Sequence, residues 1–128
     1  MSYYYNPYDG LYYYHIPYMP VIPGEIDVRQ PIDLGTRWEE QEGQWRGVWT
    51  RRGNSNTFDA RWTMAGEEDV TAVLTIDIQG NFVNIRRRNS SDGNNCNYTG
   101  TISRDGRTVS GNYTCNQGGG TWDAVISR

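Results

Sequence analysis

The stretch from Asn95 to Cys115, NCNYTGTISRDGRTVSGNYTC, constrains the fold most, because its two halves mirror each other. Asp105-Gly106, a dipeptide that suits tight hairpin turns, lies at its centre. Folding the stretch there pairs residues of like character: Arg104 with Arg107, Ile102 with Val109, Gly100 with Gly111, Tyr98 with Tyr113, and Cys96 with Cys115. The pattern predicts an antiparallel hairpin with a disulfide between Cys96 and Cys115.

The same residue pairs can form with a hairpin loop of either two or four residues. A two-residue loop places the cysteines at a hydrogen-bonded pair, whereas a four-residue loop over 104–107 places them at a non-hydrogen-bonded pair, where side chains are closer. We therefore expect the four-residue loop. A closed ring of about 20 residues would stabilise the fold by roughly 3 kcal/mol. The alternative is two reduced cysteines that pack as small apolar groups.

From residue 44 onward, apolar side chains recur at every second position in short segments separated by turn residues. The predicted strands are 44–51, 56–64, 69–78, 82–88, the two hairpin arms and 120–127. The aromatic residues of one face are Trp45, Trp49, Trp62, Tyr98, Tyr113 and Trp122. Small residues recur on that face and leave room for the rings: Gly47, Ala60, Ala72, Gly100, Gly111 and Ala124. The sequence predicts an all-β fold, an antiparallel up-and-down meander of about seven to eight strands that forms a small barrel.

The loops indicate strand registers and a problem of closure. Across Gly53-Asn54 we expect the pairs Trp45 with Trp62, Gly47 with Ala60 and Trp49 with Phe58. Across Gly80-Asn81 we expect Ile78 with Val83 and Ile76 with Ile85. With seven strands the first and last run in the same direction, so antiparallel closure needs an eighth. We expect it from the chain before residue 36, either from 21–34 in cis or from another molecule's arm in trans. If neither supplies it, two strand edges stay open and favour association.

Two shorter features precede the meander. Residues 25–28 are candidates for a short edge strand. Thr36-Arg-Trp-Glu39 resembles a capping box, and Gly43 is placed to end a helix. We therefore expect one short helical turn over 37–42 that lays Trp38 on the end of the barrel.

The first 36 residues differ sharply in composition, so we divide the chain into a Tyr/Pro-rich extended arm, 1–36, and a barrel domain, 37–128. The arm holds all five prolines, and prolines at this density disfavour helices and central strands. Its tyrosines are Tyr3, Tyr4, Tyr5, Tyr8, Tyr12, Tyr13, Tyr14 and Tyr18. Such rings are costly to leave in water, so we expect the arm to contact its own domain, another chain or a surface.

Composition excludes several classes of protein. The mean hydropathy of −0.79 predicts no membrane insertion, and the net charge of −3 disfavours a dedicated nucleic-acid binder. No apolar segment follows a basic one at the start, so we expect no signal peptide. A stable disulfide nevertheless favours an oxidising setting, outside the cytoplasm or at a spore or cell surface.

Catalytic and metal-binding patterns are weak, so we expect no enzyme, no metal and no cofactor. His15 is the only histidine, and the disulfide would occupy both cysteines. Neither acidic turn, 67–69 or 92–95, has the spacing of a calcium loop. Outward carboxylates alternate with arginines, which is typical of a solvated face: Asp59, Asp77 and Asp123 beside Arg46, Arg61, Arg86 and Arg88. Strand alternation also splits Arg86, Arg87 and Arg88 across two faces, which weakens any basic stripe with Arg51 and Arg52.

The motif Trp45-x-Gly-x-Trp49, followed by a meander, resembles the opening of the calycin barrels, which include lipocalins and avidins. The resemblance covers roughly residues 37–128 and implies a barrel that holds a small ligand. The chain lacks the arginine that lipocalins have in the last strand, where it packs on the tryptophan of the first strand, unless Arg87 of the predicted strand 82–88 takes that place. The arm separately resembles tyrosine-rich coat and surface proteins of spore-forming bacteria.

Two functions follow as hypotheses. The first is a non-enzymatic structural or interaction protein, a disulfide-stapled barrel that self-associates or adheres through its aromatic arm. The second is a carrier of a small apolar or glycan ligand that uses the inner aromatic residues, if the barrel is hollow.

Overall fold

The computed structural model describes residues 2–15 and 32–128 as strands, turns and loops, with no helix in these ranges. The strands are β1 (Ser2–Asn6), β2 (Leu11–His15), β3 (Ile32–Asp33), β4 (Arg37–Glu42), β5 (Trp45–Arg51), β6 (Thr57–Thr63), β7 (Val70–Gln79), β8 (Phe82–Arg88), β9 (Cys96–Ile102), β10 (Thr108–Cys115) and β11 (Gly119–Ser127). Strands β4 to β11 form a closed antiparallel barrel, and β1 to β3 form a separate three-stranded sheet. The predicted all-β meander barrel is confirmed.

The mirror-image stretch forms the hairpin of β9 and β10 in the predicted register. The Ser103 amide donates to the Thr108 carbonyl at 2.8 Å, which closes the four-residue loop 104–107. Gly106 takes a φ of 72° in this loop, a conformation that favours glycine. The predicted disulfide joins Cys96 to Cys115, with their Cα atoms 3.9 Å apart.

The predicted helical turn over 37–42 is wrong, because these residues are strand β4. Its even-numbered side chains point inward and its odd-numbered ones outward, so the alternation overrides the local capping signal. Strand β4 pairs with both β5 and β11. It is therefore the eighth strand, and the expectation that chain before residue 36 closes the barrel is also wrong.

One predicted register is wrong and the other is confirmed. Trp62 pairs with Gly47 rather than Trp45, a shift of two residues between β5 and β6. Such a shift keeps every side chain on its own face, so alternation alone cannot detect it. Across Gly80-Asn81, Ile78 pairs with Val83 and Ile76 with Ile85, as predicted.

The interior of the barrel is filled by stacked aromatic rings. Trp49, fully buried at the centre, lies 5.5 Å from Trp38 and 5.6 Å from Trp122 between ring centroids. It also meets Trp62 and Tyr98 edge-on at 6.4 and 5.8 Å. Aliphatic side chains belong to the same core: Leu74, Ile76, Ile78, Val83, Ile85, Ile102, Val109 and Ile126. The aromatic face that the sequence predicts is therefore mostly core.

The N-terminal sheet covers the barrel end that carries the loop 52–56. Tyr12 is buried there, and its hydroxyl donates to the Ile76 carbonyl at 2.6 Å; burial raises the pKa of this hydroxyl to about 12. The Asn54 amide donates to the Tyr8 carbonyl at 3.0 Å, and Arg51 donates to the Gly10 carbonyl. This part of the arm thus contacts its own barrel. Tyr18 and the predicted edge strand at 25–28 lie outside the described residues.

Candidate functional site

The opposite end of the barrel carries the loops 43–44, 64–69, 89–95 and 116–118. It holds a cavity of about 290 Å³. We call it the mouth cavity. Its lining residues are Glu42, Trp45, Trp62, Val70, Arg87, Asp92, Asn94, Tyr113, Cys115, Gln117, Gly118 and Gly119. Both polar and aromatic side chains therefore line this cavity.

Arg87 is the buried cation of this cavity, 5% exposed. Its guanidinium lies over the Trp62 ring, 4.2 Å from the centroid, in cation–π geometry. The guanidinium donates to Ser90 Oγ at 2.9 Å and to the Tyr98 hydroxyl at 3.4 Å. It also pairs with Asp92 at 3.4 Å. The side chain is therefore held in one orientation from several sides.

Glu40 and Glu42 lie on the inward face of β4, and both are buried. Trp62 Nε1 donates to Glu40 Oε1 at 2.8 Å, while Glu40 Oε2 has no partner among the described residues. Burial, followed by the neighbouring Glu42 carboxyl, raises the pKa of Glu40 to about 11. The Tyr98 hydroxyl donates to Glu42 Oε1, and burial raises the pKa of Tyr98 far above its ordinary value. Burial therefore favours the protonated, neutral form of Glu40.

The rim of the cavity is tied together on the side of β9 and β10. The disulfide joins these two strands at the rim. The Asn94 side chain donates to the Gln117 carbonyl at 3.2 Å and accepts from the Gln117 amide at 3.0 Å. This pair of bonds links the loop 89–95 to the loop 116–118. One side of the cavity is therefore held together by a disulfide and by two hydrogen bonds.

The structure separates the six predicted aromatic site residues into two groups. Trp49 and Trp122 lie in the core, away from the cavity. Trp45, Trp62 and Tyr113 line the cavity, and Tyr98 stacks beneath Tyr113 with their centroids 5.3 Å apart. Burial raises the pKa of Tyr113.

Sequence reasoning missed Glu40 and Glu42 because it assigned residues 37–42 to a helical turn. The available signal was the period of two in Trp38-Glu-Glu40-Gln-Glu42, which places every second residue on the face of the buried Trp38. Arg87 was placed on the inner face by the same alternation, and it lies there. It stacks on Trp62 of β6, however, rather than on a tryptophan of the Gly-x-Trp strand, so the lipocalin arrangement is not reproduced.

The outer charges form the solvated face that alternation predicts. Arg52 and Asp59 pair at 2.6 Å, and Arg61 and Asp69 at 2.9 Å, all well exposed. The Arg52 guanidinium holds the pKa of Asp59 below its usual value. Exposed pairs of this kind contribute little to stability. Within residues 2–15 and 32–128 there is no cluster of three potential metal ligands and no helix able to cross a membrane.

Comparison of the chain with protein-family models, curated proteins and solved structures finds no match.

Replacing Glu40 by glutamine is expected to remove a pH dependence of stability. Burial raises the pKa of Glu40 in the folded state far above its ordinary value of 4.5, which the carboxyl regains when the chain unfolds. Between these values unfolding releases a proton, so wild-type stability falls as pH rises. Each pH unit in this range costs the wild type at most about 1.4 kcal/mol, so we expect E40Q to gain several kcal/mol relative to wild type between pH 5 and pH 9. Urea unfolding at pH 5, 7 and 9 measures the difference.

The matched control is Glu39→Gln, on the exposed face of the same strand. It makes the same change from a carboxyl to an amide, and its stability should follow wild type with pH. Parallel curves for E40Q and wild type would contradict a protonated, buried Glu40.

Proposed function

We propose that the protein is a non-enzymatic binding barrel that holds a compact polar ligand in the mouth cavity. The observation that most directly supports this proposal is that two buried charged side chains, Arg87 and Glu42, line the cavity. Burying charged groups costs folding free energy that pairing offsets only in part. Binding a ligand supplies a reason to keep them at the bottom of an open pocket.

The filled interior supports the mouth rather than the barrel centre as the site. Trp49 contacts four other aromatic rings and is fully buried. An apolar ligand would have to displace these rings, since a small barrel is only just filled by its own side chains. The mouth cavity, at about 290 Å³, lies at the lower limit of the volumes of small-molecule sites.

The test is ligand-observed NMR with a panel of monosaccharides, free amino acids and short-chain fatty acids. We expect saturable binding of a polar member, weakened at least tenfold by Trp45→Ala at the rim. Val125→Ala is the matched control, because Val125 is exposed on the outside of the barrel, and it should bind normally. Absence of binding across the panel, or equal binding by W45A, would overturn the proposal.

A second candidate is self-association through β1. Strand β1 pairs with β2 on one side and with no other described strand, and its sequence, SYYYN, has no charge. Charged residues and prolines usually protect such an edge from pairing with another chain. We propose that a second copy adds to it. Light scattering should find a dimer that Tyr4→Pro converts to a monomer, while Tyr8→Ala in the turn does not. A wild-type monomer at all concentrations would contradict this.

A further inference from the structure

We infer that the mouth cavity binds a sugar through two neighbouring hydroxyl groups, one donating to Glu42 and the other accepting from Arg87. This inference rests on the binding function proposed above and names the class of ligand. It follows from how the two side chains are held, from what joins them and from the rim above them.

Glu42 is a fixed acceptor. It is 7% exposed, lines the cavity and accepts a hydrogen bond from the Tyr98 hydroxyl at Oε1. A carboxylate offers about four lone-pair sites, so sites remain for a ligand hydroxyl. The bond from Tyr98 sets the orientation of the carboxylate before any ligand arrives.

Arg87 is a fixed donor. A guanidinium carries five N–H groups, and the described residues that accept from it are Ser90, Tyr98 and Asp92. The Trp62 ring covers one of its faces. Donors therefore remain for a ligand in the cavity that Arg87 lines.

The Tyr98 hydroxyl connects the two, since it donates to Glu42 and lies 3.4 Å from Arg87 Nη1. The acceptor and the donor are thus separated by a single bridging hydroxyl. Two neighbouring hydroxyls on a sugar ring can present one donor and one acceptor, because each hydroxyl can do both.

The remainder of the cavity favours an uncharged ring over an ion. Two acidic side chains, Glu42 and Asp92, line the cavity together with its one guanidinium, so no excess positive charge is present to attract an anion. Trp45 and Tyr113 line the cavity wall, and aromatic rings suit the apolar C–H face of a sugar. An amino acid would also match one positive and one negative group, but its carboxylate would approach Asp92.

The experiment is isothermal titration of the full chain with glucose, galactose and mannose, with their methyl glycosides, and with glycine and leucine. We expect at least one pyranose to bind, and its deoxy analogue lacking one of the two contacting hydroxyls to bind at least tenfold more weakly. Glu42→Gln should also weaken binding at least tenfold, and Glu39→Gln on the outer face should leave it unchanged. Tyr98→Phe removes the bridging hydroxyl and gives a second variant if E42Q does not fold.

The outcomes separate the two proposals. Binding of glycine or leucine that depends on Glu42, without pyranose binding, overturns the sugar inference and leaves the binding function standing. Pyranose binding that is equal in wild type, E42Q and Y98F also overturns the inference. Absence of binding by every compound in both panels overturns the binding function and the inference together.

Discussion

Replacing Trp49 by alanine is expected to lower the free energy of unfolding by about 3–5 kcal/mol. Trp49 is fully buried and contacts Trp38, Trp62, Tyr98 and Trp122. Truncation would leave a large cavity among rings that are held by their own strands and cannot close over it. Urea unfolding followed by far-UV circular dichroism measures the loss.

Two further variants provide comparisons for the loss of unfolding free energy in W49A. Trp45→Ala removes the same side chain from the half-buried rim and should cost clearly less. Trp49→Phe should also cost less than W49A, because it keeps a ring and removes an indole N–H that has no partner among the described residues. Equal losses for W49A and W45A would contradict a central role for Trp49.

Replacing Gly111 by alanine is expected to cost about 3 kcal/mol, the upper part of the range for overpacking. A Cβ at this position would lie 1.8 Å from the Thr99 carbonyl oxygen and 2.6 Å from Gly100 Cα. Both are backbone atoms of β9, so no side chain can rotate away, and β9 and β10 would have to separate. A thermal melt monitored by circular dichroism measures the loss.

The neighbouring Ser110→Ala is the control for Gly111→Ala. Ser110 is exposed on the outside of β10, and its substitution should change stability by no more than about 0.5 kcal/mol. A melting temperature for G111A equal to that of S110A would show that the two strands accommodate a side chain at this point.

The sequence predicts this fold best where two independent signals coincide. In the hairpin of β9 and β10, the turn dipeptide and the symmetrical pairs specify one register, and the structure has it. Between β5 and β6 the expected turn at Gly53-Asn54 misplaces the centre of the loop, so only alternation remains to guide the prediction. It identifies the buried face correctly but leaves a register error of two residues, since Trp62 pairs with Gly47.

The candidate site was harder to predict, because its parts are brought together only by the closed barrel. Arg87 could be placed inward from its own strand, but its partner Trp62 comes from β6. Glu40 and Glu42 resemble surface residues in a local reading, since buried carboxylates are rare. The period of two from Trp38 indicates which face they share, but their burial also depends on β4 lying between β5 and β11.

The place of β4 in the ring has a consequence for the order of folding. Every neighbouring pair in the barrel joins strands that are consecutive in the chain, except the pair of β4 and β11. Contacts between distant segments carry the largest loop-closure entropy and tend to form late. Since β4 also supplies Glu42, the lining of the mouth cavity is completed only when β4 and β11 pair. A chain with an open barrel would have its hairpins but not the complete cavity, so binding at the proposed site should require closure of the barrel.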